Sequence, residues 1–168
     1  MKKALTIIFL LPLFSLSQEC KLNKSIDNFT HEVRLSTGFM SINRGFDRVL
    51  LSIDANKAEV DFFFSISGDS KCFGYESTAT VIFDGNKSKN NFKNTGTMNC
   101  EGLFHFSFRN LEGTPGSLQR FATQKVSSIS FTGNNKKITV ITLNEDQKTL
   151  LMNMADCLIK ESKTLLKK

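Results

Sequence analysis

The sequence predicts a mainly β (α+β) domain, an antiparallel β-sandwich or curved sheet of about seven or eight strands with one C-terminal helix packed on it. Three observations predict this fold. Apolar and polar side chains alternate in several short segments, which is typical of strands with one buried face. A helix-period pattern follows only after residue 144. Because no helical pattern lies between the strands, parallel crossover connections are not expected.

The first predicted strands follow a polar arm at residues 20–28. Residues 29–36 begin the alternation, and residues 46–53 and 59–66 continue it as a hairpin around residues 55–57. Runs of this kind, separated by turn residues, are typical of paired antiparallel strands. One face of the third run collects apolar side chains, namely Val60, Phe62, Phe64 and Ile66.

A second group of strands is predicted from residue 78 onward. Residues 78–83 end at the turn dipeptide Asp84-Gly85. The polar segment 87–99 is compatible with an exposed edge strand or a mobile loop, whereas residues 103–109 alternate strictly around three phenylalanines. A turn is expected at residues 112–116, which include Pro115. The last two strands, residues 125–132 and 136–143, form a hairpin around Gly133-Asn134-Asn135.

The C-terminal helix is predicted over residues 145–166. Asn144 and Gln147 have the spacing of a capping box, and Glu145 and Asp146 suit the positive end of the helix dipole. One stripe of the helix is apolar, so we expect this face to dock on the sheet. The stripe and its flanks consist of Leu150, Leu151, Met154, Cys157, Leu158 and Leu165. A single domain over residues 18–168 accounts for the pattern.

The N-terminus has the pattern of a secretory signal peptide over residues 1–17. Lys2 and Lys3 precede an apolar stretch that is too short to span a bilayer, and small residues precede Gln18. An uncleaved anchor and acylation of Cys20 are the alternatives, and the bulky residue before Cys20 disfavours acylation. Removal of residues 1–17 takes away two lysines and lowers the net charge from +6 to +4. We therefore expect an exported protein, periplasmic or secreted to the medium, with no remaining membrane span.

Four cysteines lie in the predicted mature chain, and an even number in an oxidising compartment favours two disulfides. Three connectivities are possible. We favour Cys72–Cys100 and Cys20–Cys157, with stabilisations of at most about 3.5 and about 5 kcal/mol from the entropy of the closed loops. The spacings match neither a redox C-x-x-C pair nor a zinc module, so no metal or cofactor is predicted. The scattered basic residues do not predict nucleic-acid binding either.

Catalytic motifs are not found in the sequence, so no catalytic residue and no enzymatic activity are predicted. Glu59 and Asp61 share one strand face, which allows acid–base chemistry but is more typical of a solvated face. His31 and His105 are the two histidines. They could form a metal pair only if their strands were neighbours. A hydrolase using these groups is the least favoured of three hypotheses.

Four apolar residues lie opposite the main apolar face of their strands and are candidates for partner binding: Leu50, Phe63, Ile82 and Ile141. They form an exposed patch if the sheet has one solvated face, or a second core layer if another element covers them.

The leading hypothesis is therefore a non-enzymatic protein-binding subunit. The alternative is a carrier of a small ligand or glycan, held in a phenylalanine-lined cavity between sheet and helix. The polar loop at residues 86–99 is a further candidate for recognition.

Several short segments resemble small exported, single-domain β-rich proteins of Bacteroidota, mostly without assigned function. These segments are Cys20-Lys-Leu, residues 27–34, Ile82-Phe83-Asp84-Gly85, and Asn99-Cys100-Glu101-Gly102 before the alternating phenylalanines. The resemblance implies no catalytic residue. It implies a setting in the cell envelope, where large outer-membrane complexes such as the type IX secretion translocon recruit small periplasmic accessory proteins. An accessory or plug subunit of such a complex is the corresponding expectation.

Overall fold

The computed structural model describes residues 20–43, 48–69, 71–85 and 89–167, and the predicted signal peptide lies outside them. The described chain forms ten strands and two α-helices, with a final 3₁₀ turn at Lys163–Leu166. The strands are β1 (Asn23–Ile26), β2 (Val33–Ser36), β3 (Met40–Asn43), β4 (Val49–Ala55), β5 (Glu59–Ile66), β6 (Thr78–Phe83), β7 (Lys89–Lys93), β8 (Leu103–Arg109), β9 (Val126–Thr132) and β10 (Ile138–Thr142). The helices are α1 (Gly116–Thr123) and α2 (Glu145–Ser162).

The strands form two antiparallel sheets, which confirms the predicted mainly β fold with a C-terminal helix. The first sheet has six strands in the order β1-β2-β4-β5-β8, with β3 also paired to β4. The second has four strands in the order β10-β9-β6-β7. The arrangement is that of a β-sandwich, in which the inner faces of the two sheets bury one common core.

Phenylalanine rings occupy the space between the sheets. Strands β5 and β8 are paired so that Phe62 lies opposite Phe106 and Phe64 opposite Phe104. The Phe62 and Phe106 rings stack at 5.2 Å, and Phe64 reaches Phe131 of the other sheet at 5.0 Å. Eight phenylalanines are almost completely buried: Phe62, Phe64, Phe73, Phe83, Phe104, Phe106, Phe121 and Phe131. Their rings fill the interior rather than line an open chamber.

Three elements were not predicted, namely β1, β3 and α1. All four residues of β1 are exposed, so that strand has no apolar alternation from which it could be recognised. Helix α1 follows the predicted turn at residues 112–116 and has only eight residues. It buries Leu118 and Phe121 in the core, which stabilises two turns that would be marginal as an isolated helix.

Helix α2 begins as predicted. Asn144 Oδ1 accepts a hydrogen bond from the backbone N–H of Gln147, and Gln147 Oε1 accepts one from the backbone N–H of Asn144, both at 2.9 Å. The predicted residues Leu151 and Leu158 are buried, and Met154 is partly buried against the core. The helix contacts α1 and strands from both sheets, so it closes one side of the sandwich. No helix among the described residues is long and apolar enough to cross a membrane.

Both favoured disulfides are present. Cys20–Cys157 joins the N-terminal arm to α2, and Cys72–Cys100 joins the segment before β6 to the segment before β8. The Cys20 sulfur is bonded to Cys157 and is therefore not available to a lipid thioether. Two disulfides fit an oxidising environment such as that of an exported protein.

Candidate functional site

The outer face of the six-stranded sheet collects most of the residues that the sequence singled out. The register of β4, β5 and β8 places Asp54 opposite Asp61 and Phe63 opposite His105. Glu59 and Asp61 line one small hollow of about 70 Å³ together with Arg34 and Asp54. Strand pairing thus brings together two predicted acid–base candidates, one of the two histidines and one predicted partner-binding residue.

Two carboxylates face each other across β4 and β5 in this hollow. Like charges directly opposite on neighbouring strands are destabilising, so Asp54 and Asp61 need compensation. Arg34 Nη2 lies 3.3 Å from Asp54 Oδ2, and the Ser52 hydroxyl donates to the same oxygen at 3.0 Å. Asp61 Oδ1 lies 3.2 Å from His105 Nδ1. Asp54 therefore has a cationic partner, and Asp61 has a histidine partner that is cationic when it is protonated.

The hydrogen bond to Asp61 raises the pKa of His105 above its usual value, burial opposes this, and the negative charges of Asp61 and Glu59 add to it. The Thr95 hydroxyl lies 3.3 Å from the same ring nitrogen, Nδ1. The opposite edge of the ring packs on Gly96, where an added Cβ would be 2.4 Å from Nε2. A nucleophile relay needs hydroxyl and carboxylate on opposite ring nitrogens. This geometry instead suits a structural ion pair that holds residues 94–96 on β8.

The stability of the protein is expected to decrease as the pH rises through the raised pKa of His105. A histidine whose pKa is higher in the folded state than in the unfolded state stabilises the fold fully at pH values below its unfolded-state pKa, about 6.5. This contribution is lost as the pH rises above the folded-state pKa. Replacing His105 by glutamine should remove this contribution to the pH dependence of the unfolding free energy. Urea unfolding between about pH 6 and about pH 9 measures it, since these limits bracket an ordinary histidine.

His31→Asn is the matched control for this titration, because His31 is exposed in a turn with a positive φ, which asparagine tolerates. Its unfolding free energy should follow the wild-type pH dependence. Parallel curves for wild type and His105→Gln would contradict the assigned role of the His105–Asp61 pair.

An exposed aromatic side chain lies beside this ionic cluster. Phe39 is 62% exposed, and its ring contacts that of Phe63 edge-on at 6.0 Å. Phe63 is half-buried and lies 6.0 Å from the His105 ring, and Leu50 is half-buried on the same face. The sequence did not indicate Phe39, because it lies between the two short strands β2 and β3. The sequence feature that could have indicated Phe39 is its position as an apolar residue next to a segment in which polar and apolar residues alternate.

Ile141, one of the four partner-binding candidates, is a core residue, which is the second of the two alternatives for these positions. It is 1% exposed, because the register with β9 places it opposite Ile129 on the core face. Ile138 and Val140 are the exposed residues of this strand. The pairing decides between the alternatives, since a shift of one residue moves every side chain of a strand to the other face.

The remaining partner candidate, Ile82, is half-buried and lies apart from Leu50 and Phe63. It is opposite Ser128 and Lys89 on the outer face of the four-stranded sheet. The four predicted residues therefore do not form one patch. Leu50 and Phe63 share the face that also carries Phe39.

His31 does not join His105. It lies in the turn between β1 and β2, and β4 and β5 separate β2 from β8, so the two histidines are not on neighbouring strands. Within the described ranges, no three His, Cys, Asp or Glu side chains are grouped so that they could hold a metal ion.

The fold and this face define a class of protein, a disulfide-linked β-sandwich with an aromatic and ionic patch on one outer sheet face. Comparison of the chain with protein-family models, with curated proteins and with solved structures gives no match. Its function is therefore inferred from the residues of this chain.

Proposed function

We propose that this protein is a non-enzymatic, periplasmic protein-binding subunit that docks through the outer face of its six-stranded sheet. By resemblance to small exported Bacteroidota proteins, the partner is a component of an outer-membrane complex such as the type IX secretion translocon. One observation carries the docking proposal: Phe39 presents an exposed ring that is backed by Phe63, on a sheet face that also carries the Arg34–Asp54 and His105–Asp61 pairs.

The chemistry of this patch supports a protein partner. Binding hot spots combine an aromatic anchor with surrounding polar groups that exclude water and orient the partner. Complete burial of a phenylalanine side chain contributes about 1.5–3 kcal/mol, and most of the Phe39 ring is still available for burial. Arg34, which is more than half exposed, lies on the same face and adds a donor for a carboxylate or carbonyl of the partner.

The packing of the interior favours this proposal over a carrier. A ligand between sheet and helix would need space among the phenylalanines, but Phe92 stacks on Phe106 at 4.5 Å and Phe62 meets Phe121 at 4.6 Å. These contacts leave no gap between the rings concerned. The ionisable residues favour it over a hydrolase, because Asp54 is held by Arg34 and Asp61 by His105.

Affinity capture from envelope extracts of the native bacterium tests the proposal. The mature chain is used as bait, as wild type, as Phe39→Ala and as Phe29→Ala. Phe29 is 94% exposed but lies in the turn after β1, so it matches the lost ring without touching the proposed face. Wild type and Phe29→Ala should retain the same envelope protein, and Phe39→Ala should lose most of it.

A photo-crosslinking residue at position 39 should attach to that same partner, and one at position 29 should not. Equal capture by all three baits, or retention of no stable partner by wild type, would refute docking through this face.

A further inference from the structure

The edges of the two sheets are not equally protected against pairing with another strand. An exposed edge strand offers unpaired N–H and C=O groups, and folded proteins protect such edges with charges, bulges or covering segments. The end strands are β1 and β8 in the six-stranded sheet and β7 and β10 in the four-stranded sheet, and β3 lies on one edge of β4.

The first half of the β8 edge, at Leu103 and His105, is covered by residues 94–99. The Thr95 amide donates to the His105 carbonyl at 2.8 Å, and the His105 amide donates to Asn94 Oδ1 at 3.1 Å. The side chain of Asn99 accepts from the Leu103 amide and donates to its carbonyl. The outward backbone groups of β8 at these positions are therefore already satisfied.

The other edges carry different protections. Strand β7 has exposed lysines at both ends, Lys89 and Lys93. Strand β1 has four exposed residues that include Lys24, and β3 has a register shift between Ser41 and Asn43. Charge on an edge strand and a bulge both disfavour addition of a further strand.

Strand β10 has neither a charged residue of its own nor a bulge, and Lys71 Nζ, from the segment before β6, donates a hydrogen bond to Thr139 Oγ1 at 2.7 Å. Its five residues, Ile138–Thr142, are uncharged and β-branched, and their register with β9 is regular. Ile138 is 64% exposed and Val140 59% exposed. Beside Thr142 the edge opens on a groove of about 600 Å³.

The hydrogen bonds of the hairpin show which groups point away from β9. The Gly133 amide donates to the Lys137 carbonyl, and the Leu143 amide donates to the Ser127 carbonyl, both at 3.0 Å. Because bonded and non-bonded positions alternate in an antiparallel pair, the odd-numbered residues bond to β9. The N–H and C=O groups of Ile138, Val140 and Thr142 therefore point outward.

We propose that β10 pairs with β10 of a second copy of this chain, antiparallel about a two-fold axis at Val140. In this register Val140 pairs with itself, and Ile138 pairs with Thr142 of the other copy. The two four-stranded sheets then form one continuous sheet of eight strands. The exposed side chains of Ile138 and Val140 lose solvent contact on the same face.

The charges at the two ends of β10 favour a second copy as the occupant. Lys136 and Lys137 precede the strand, and Glu145 and Asp146 follow it. Glu145 already forms ion pairs with Lys125 and Lys148 of its own chain. Antiparallel pairing about Val140 therefore brings Lys136 and Lys137 of each copy towards Asp146 of the other, twice by symmetry. A self-complementary patch of this kind is the requirement for a two-fold interface, and opposite charges across strands stabilise it.

Sedimentation of the disulfide-bonded mature chain over a range of concentrations tests the pairing. Wild type should form a dimer, and Val140→Lys should be a monomer, because it places two lysines opposite each other on the axis. Thr80→Lys is the control, since it adds the same charge to the same sheet face two strands from the edge. It should remain dimeric.

Cysteine cross-linking tests the register. Hydrogen-bonded antiparallel partners have Cα atoms about 5.5 Å apart, which a disulfide spans. Val140→Cys should therefore give a covalent dimer under mild oxidation, whereas Ile138→Cys should not, because residue 138 faces residue 142 of the other copy. Peptide mapping under non-reducing conditions identifies the new bond.

A wild-type monomer at all concentrations would overturn the inference, as would a Val140→Lys dimer or equal cross-linking at positions 138 and 140. These results do not depend on Phe39. The pairing can therefore fail while docking through the outer face of the six-stranded sheet stands, and the reverse also holds.

Discussion

Replacement of Phe106 by alanine is expected to lower the free energy of unfolding by about 3–5 kcal/mol, the usual range for a buried phenylalanine. Phe106 is 2% exposed, and its ring meets those of six other phenylalanines. It stacks on Phe62 and Phe92, so its loss removes apolar burial and leaves a cavity that rigid rings cannot easily fill. Equilibrium urea unfolding of the mature chain measures the change.

The control for Phe106→Ala is Phe29→Ala, which removes the same atoms from an exposed turn. Its unfolding free energy should stay within about 0.5 kcal/mol of wild type. Phe106→Leu should lose less than Phe106→Ala, because it retains most of the buried volume. A change below 1 kcal/mol, roughly the effect of an average substitution, would show that the interior is more loosely packed than the ring contacts indicate.

Removal of the Cys20–Cys157 disulfide is expected to destabilise the protein more than removal of Cys72–Cys100. The two bonds close sequence separations of 137 and 28 residues. The loop entropy removed from the unfolded chain corresponds to at most about 5 and about 3.5 kcal/mol, respectively. The double substitutions Cys20→Ala/Cys157→Ala and Cys72→Ala/Cys100→Ala, unfolded in urea without reductant, measure both contributions.

The size of the unfolded chain provides a second readout for the disulfides. The variant without Cys20–Cys157 should show the larger increase in the urea dependence of its unfolding free energy, because its unfolded chain exposes more surface. Reduced wild type should be at least as unstable as either variant. If the variant without Cys72–Cys100 were the less stable of the two, native contacts of that bond rather than loop length would dominate.

The sequence predicted strands with a clear period of two within one or two residues of their ends. Strands β5, β6 and β8 begin and end where the alternation does, because one face of each is buried. The capping box located the start of α2 for a similarly local reason, since Asn144 and Gln147 are only three residues apart. Signals of this kind depend on neighbouring residues and need no knowledge of the fold.

Strand pairing determined the rest of the candidate site. The contacts of Arg34 with Asp54 and of Asp61 with His105 join residues 20 and 44 positions apart. Local alternation gives the face of each residue but not its neighbour across the sheet. The two alternatives for Ile141 stayed open for the same reason, because Ile138, Val140 and Ile141 leave the inward face of β10 undecided until its pairing with β9 is known.

The sequence by itself determined an antiparallel β domain with a capped C-terminal helix and four cysteines available for two bonds. Only the tertiary structure decided that Phe39 is exposed beside Phe63, that Asp54 and Asp61 contact separate partners, and that β10 is a sheet edge with two exposed apolar side chains. The physical reason is that side-chain alternation is a local property, whereas register, edge position and exposure depend on contacts between distant segments.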